Sequence, residues 1–101
     1  MKVIYTDQSI DSLKESLSFI IEQLELPPEK ATLIKERLFN RADSLSLNPN
    51  KGQLEEYLQD LKESHRRIIE GHFKIIYKIE NGAIYVTDFF DSRQDSSKMK
   101  A

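Results

Sequence analysis

Phe73-Lys74-Ile75-Ile76-Tyr77-Lys78-Ile79-Glu80-Asn81-Gly82-Ala83-Ile84-Tyr85-Val86-Thr87-Asp88-Phe89-Phe90 is the stretch that decides how this chain folds. Two runs rich in β-branched and aromatic residues flank Asn-Gly, the dipeptide best suited to the positive φ angles of a two-residue hairpin turn. Such a turn sets Glu80 opposite Ala83, so Ile79 faces Ile84, Lys78 faces Tyr85 and Tyr77 faces Val86. Carried outward without interruption, it sets Ile76 against Thr87, Lys74 against Phe89 and His72 against Asp91. Side chains alternate along a strand, so Phe73, Ile75, Tyr77, Ile79, Ile84 and Val86 share one apolar face. A slip of one residue would turn that whole set to water, which pins the register.

Working back from the hairpin, His65 to Glu70 reads as another strand, turned at Gly71. Leu54, Tyr57, Leu58 and Leu61 have helical spacing, but their segment is short and acidic, so it is expected to be irregular with a turn or two of helix. Asn48-Pro49-Asn50-Lys51-Gly52 is a turn cluster. Before it lie two amphipathic stripes: Ile10, Leu13, Leu17, Ile20, Ile21 and Leu24, then Ala31, Ile34, Leu38 and Leu45. Leu26-Pro27-Pro28 separates them, because residues before proline are pushed out of the α region. Asp7 or Ser9 can cap the first helix, and Val3-Ile4-Tyr5 reads as an opening strand. The order is β-α-α-β-β-β, an α+β fold with a helical hairpin on one face of a small antiparallel sheet. The 101 residues form one domain, 1–101, in which the polar stretch 92–101 is expected to be a loose tail.

The composition narrows the chemistry. With no cysteine there are no disulfides, thiolate metal sites or thiol nucleophiles. No zinc, phosphate-loop, nucleophile-elbow or dinucleotide motif is present, so neither metal nor cofactor is expected. No apolar run reaches the roughly 18 residues of a membrane span, and the opening residues lack a signal-peptide core. The expectation is a cytoplasmic protein with no membrane partner. A net charge of −2 gives no basic field to draw nucleic acid. Cations do concentrate between Ser64 and Lys78, where Arg66, Arg67, Lys74 and Lys78 meet one acid, Glu70.

The uninterrupted register gathers those cations. It places His72, Lys74, Ile76, Lys78, Tyr85, Thr87, Phe89 and Asp91 on an open outer face, joined by His65, Arg67 and Ile69 and, on the same parity, Arg93. Cations interleaved with aromatics suit a phosphate backbone with stacked bases. Ordinary solvation of a sheet face explains the same residues. His72 opposite Asp91 reads either as an oriented base or as a plain cross-strand pair.

The run from Ser64 to Ile79 resembles the strand hairpin of RelE/ParE toxins, with arginine, an apolar strand, a turn, then an aromatic, a basic residue and a tyrosine. Pro49 and Gly52 look like that family's turn after its second helix, and Asp88 to Asp95 is similar to the tail of ParE-like members. The resemblance implies the toxin of a type II toxin–antitoxin pair, a growth inhibitor neutralised by a small cognate antitoxin that wraps the helical hairpin and sheet. It leaves two targets: DNA gyrase, inhibited without catalysis, or the ribosome, where RelE-like members cleave mRNA as metal-independent endoribonucleases. An inactive binding partner is a third reading. Cleavage at the 2′-OH needs an acid and a base as well as cations. No tyrosine or histidine follows Tyr85, so the ParE-like reading leads. Arg67, Lys74 and Arg93, with Arg66 as an alternative, are the candidate residues for toxicity. Phe19, Leu26, Leu33 and Phe39 exceed what one stripe per helix requires and are the candidate antitoxin contacts.

Overall fold

The computed structural model describes all 101 residues. Strand β1 (Lys2–Tyr5) leads into helix α1 (Asp7–Glu22), and α2 (Pro28–Asp43) folds back beside it. A two-residue strand β2 (Gln53–Leu54) follows, then a 3-10 segment, Glu56–Leu61. Strands β3 (Arg66–Glu70), β4 (Phe73–Glu80) and β5 (Ala83–Asp91) complete one sheet, ordered β1-β5-β4-β3-β2. The β-α-α-β-β-β plan read from the sequence holds, with β2 added at one edge. Every pairing is antiparallel except β1 with β5.

The helix ends follow local chemistry. The cap of α1 is Thr6 and neither Asp7 nor Ser9, the two residues expected: its Oγ1 accepts from Ser9 N–H at 3.2 Å and donates to Val86 O at 3.0 Å. The one threonine thus satisfies an orphan helix donor and ties the helix to β5. Pro28 opens α2 at the first helical position, where its missing N–H costs nothing. Ser9, Leu13, Ser16 and Ile20 form the buried stripe of α1. They meet Leu38, Ala42 and Leu45 over the inner sheet residues Ile68, Phe73, Ile75, Tyr77, Ile84 and Val86.

The hairpin turn forms as expected, with positive φ at both Asn81 and Gly82. The register from Glu80–Ala83 to Tyr77–Val86 is the one inferred. It then breaks. A bulge between Ile76 and Tyr77 absorbs Thr87, so Ile76 faces Asp88, Ile75 faces Phe89, Lys74 faces Phe90 and Phe73 faces Asp91. One extra residue flips the parity of everything beyond it. Phe89 and Asp91, expected outside, turn to the helix side, and Phe89 joins the core between Tyr5 and Phe39.

The outer face is not open either. Leu58 from the 3-10 segment and Met99 from the C-terminal stretch close over Ile76 and Phe90 in a second small core. The stretch 92–101, expected to hang loose, lies along β5 beyond the end of β1. Lys100 N–H donates to Asp88 Oδ2 at 2.9 Å, and Gln8 Nε2 donates to Ala101 O at 2.6 Å. The sequence puts Ile76 on that face, but no local pattern marks Leu58 or Met99 as its cover.

Candidate functional site

The outer face is built around Glu55. Its N–H donates to His65 O at 2.8 Å, its residue is 2% exposed, and its side chain turns inward over β3 and β4. Oε1 accepts from Lys74 Nζ at 2.9 Å and lies 3.8 Å from Arg67 Nη1. Oε2 accepts the Tyr57 N–H at 3.0 Å, capping the 3-10 segment, and the Tyr57 ring sits 5.2 Å from Lys74 Nζ. Arg67 spends its other donors on Leu54 O at 2.6 Å and Gln53 Oε1 at 3.2 Å. Both cations are therefore held by the chain itself, with the Glu55 carboxylate between them.

The structure does bring Arg67 and Lys74 together, as their parity predicted. It separates them from the other two candidates. Arg93 follows the flipped half of β5 and clasps Asp91 with Nη2–Oδ2 at 2.7 Å and Nε–Oδ1 at 2.9 Å. Burial pushes the Asp91 carboxyl up, but the Arg93 hydrogen bonds outweigh it and hold the group below its ordinary value. Arg66 points to the inner side and donates to Gly52 O at 2.7 Å. His72 lies in the β3–β4 turn, exposed, and its strand position opposite Asp91 is taken by Phe73.

His65 is 2% exposed, and neither ring nitrogen has a hydrogen-bond partner in the protein. Burial lowers its pKa; Glu63, 3.9 Å away, opposes that shift only in part. The ring is a neutral, enclosed group beneath the 3-10 segment, not a base presented to a substrate.

The candidate antitoxin contacts divide. Phe19 and Leu33 are 52% and 44% exposed on the outer sides of α1 and α2. Leu26 lines a hollow of about 230 Å³ between the helical hairpin and the β3–β4 turn. Phe39 is half-buried, edge-on to Tyr5 and Phe89 at ring distances of 5.1 and 5.6 Å, so much of its ring belongs to the core.

Glu55 and Arg37, which borders the hollow, were missed from the sequence. Neither has a local signal: the Glu55 pairing spans 19 positions, and Arg37 is one of three consecutive charged residues on a solvated face.

The family model for the ParE toxin of type II toxin–antitoxin systems (parDE) matches residues 3–96. The chain belongs to this family. The match runs from β1 through the whole sheet, so the ParE toxin fold and the helix-on-sheet architecture described above are the same unit. A ParE toxin of a type II system has an antitoxin as its partner. Comparison with curated proteins gives no match. No helix of this ParE-family chain is long and apolar enough to cross a membrane.

Proposed function

We propose that this toxin arrests growth without catalysis, by binding and inhibiting DNA gyrase in the cytoplasm, and that its cognate antitoxin silences it by covering the helical hairpin. The observation that carries this reading is the internal pairing of the outer face. Arg67 and Lys74 are engaged by Glu55, and Leu58 and Met99 roof the adjoining strands. A nuclease would need those cations free to meet a phosphate and an acid–base group beside them. Phe19 and Leu33 supply exposed apolar surface for the antitoxin on the same two helices that hold the core.

Brief induction in a bacterial host tests the reading. Filamentation with a DNA-damage response is the expected outcome, and purified gyrase should lose supercoiling activity when the chain is added. Rapid arrest of translation with cut mRNA, and gyrase unaffected, would replace it with the ribosome-dependent nuclease.

A further inference from the structure

The sheet ends at β1 on one side and at β2 on the other. In a parallel ladder, alternate residues send both backbone groups to the neighbouring strand. The Thr6 N–H donates to Val86 O at 3.1 Å, so Thr6, Ile4 and Lys2 are the residues turned to β5. Val3 and Tyr5 therefore direct their N–H and C=O groups away from it, along the rim where β1 has no neighbour. The strand has few of the devices that blunt an edge. It holds no proline and no bulge, and its one charge, Lys2, stands at its first position. Such an edge is a template for an added strand.

Apolar surface adjoins it. Val3 and Tyr5 pack inward on the main core, which leaves Ile4 half-buried on the other face. At the near end the Met1 ammonium donates to Ser46 O at 2.9 Å. Leu47, the next residue along, is 92% exposed, more than any other large apolar residue of the chain, and Met1 is 47% exposed.

We infer that a second copy of this chain pairs here, β1 against β1, antiparallel about a two-fold axis beside Ile4. Symmetry requires every pair to be reciprocal. The alignment that uses all the free groups sets Val3 opposite the second copy's Tyr5, and Tyr5 opposite its Val3. The two Ile4 side chains then meet in a non-hydrogen-bonded pair, the closer of the two pair types. The same alignment sets Lys2 opposite the second copy's Thr6, next to its Asp7. Lys2 and Asp7 are both exposed and belong to no ion pair within the chain. Each finds its counter-charge across the axis, twice by symmetry. The strands part where α1 begins, so the contact falls below the about 1,200 Å² of standard interfaces and the dimer depends on concentration. The β2 edge stays free, and the pairing is independent of the toxin's target.

Sedimentation of the purified chain over a range of concentrations tests the inference, with amide exchange followed by NMR. The native chain should pass from monomer to dimer, and the Val3 and Tyr5 amides should gain protection with concentration. Ile4, already bonded to β5, should not change. Val3→Pro removes an outward donor that β5 does not use, at a position where an edge strand tolerates proline. With two bonds lost by symmetry, the dimer dissociation constant should rise about tenfold or more. Lys2→Glu should weaken the dimer without touching the fold, and adding Asp7→Lys should restore it. A monomer throughout, with Val3 and Tyr5 exchange independent of concentration, would overturn the pairing. So would a dimer that Val3→Pro and Lys2→Glu leave intact, which would place the interface elsewhere. Protection that appears only when the short chain encoded beside this one is added would give the edge to that partner instead.

Discussion

Lys74 Nζ lies 2.9 Å from Glu55 Oε1, on a carboxylate that solvent does not reach. The pair joins the start of β4 to the segment that follows β2 and so fastens the roof of the outer face. Removing Glu55 strands a cation in a mostly enclosed site. Because Lys74 keeps 17% of its side chain exposed, the expected loss for Glu55→Ala is about 2–3 kcal/mol, below the full penalty for a buried pair. That corresponds to roughly 8–20 °C in melting temperature for a domain of this size. Glu55→Gln with Lys74→Met together should lose less than the sum of the singles. A double-mutant cycle with no coupling would show that the contact does not stabilise the fold.

Tyr77 sets the turn before β2 from beneath. Its hydroxyl donates to Pro49 O at 2.8 Å and accepts the Gly52 N–H at 2.9 Å. Tyr77→Phe should cost about 1–3 kcal/mol, since a buried N–H and a half-buried carbonyl lose their bond together. Gly52→Ala should cost a comparable amount by overpacking, about 1–3 kcal/mol. A Cβ there would stand 2.6 Å from both Arg67 O and the Tyr77 hydroxyl. Urea denaturation of both variants is the measurement. An unchanged midpoint for Gly52→Ala would mean that the turn can move away without loss.

His65 gives the fold a pH dependence of definite sign. Burial lowers its pKa from the ordinary 6.5 in the folded chain. The unfolded chain therefore takes up the proton first as pH falls. The His65 contribution is complete above 6.5, declines through the window below it, and stops changing once the folded ring is protonated too. Stability measured at pH 7.5, 6.0 and 5.0 should fall for the native chain and fall less for His65→Gln. Parallel profiles would place the titrating group elsewhere.

Phe19 and Leu33 are exposed apolar residues on helices whose inner faces are already full. Replacing both by serine should raise the solubility of the isolated toxin while changing stability by about 0.5 kcal/mol or less at each site. Affinity for the antitoxin should drop if they are contacts, as read by calorimetric titration. Improved solubility with undiminished affinity would confine them to a non-specific role.

The sequence made the inner face legible because two independent signals agreed there: the Asn81-Gly82 turn chemistry and the alternation from Phe73 to Val86. Beyond Val86 that agreement ends. Phe89 and Phe90 are adjacent aromatics, so either parity buries one of them, and nothing in Thr87-Asp88 marks a bulge as a glycine would. The outer roof was hidden for a different reason. Leu58 and Met99 are isolated apolar residues in polar stretches, and their contact with Ile76 and Phe90 comes from chain folding that no local pattern records. Glu55 looked like one acid among several. A buried carboxylate shows itself only by the cations around it, and Lys74 reaches it from another strand.

The neighbour of β1 is β5: Lys2 pairs with Ala83 and Tyr5 with Val86. During synthesis the opening strand and both helices leave the ribosome before the strand that binds them has been made. Leu13, Ile20 and Leu38 have no complete sheet to settle on until Ile84 and Val86 join Ile68, Phe73, Ile75 and Tyr77. The β1–β5 pairing spans most of the chain, the kind of long-range contact that slows folding. A nascent toxin remains an open chain with uncovered apolar helices for most of its translation. Any binder already waiting in the cell meets it in that state, before the toxin's finished surface exists.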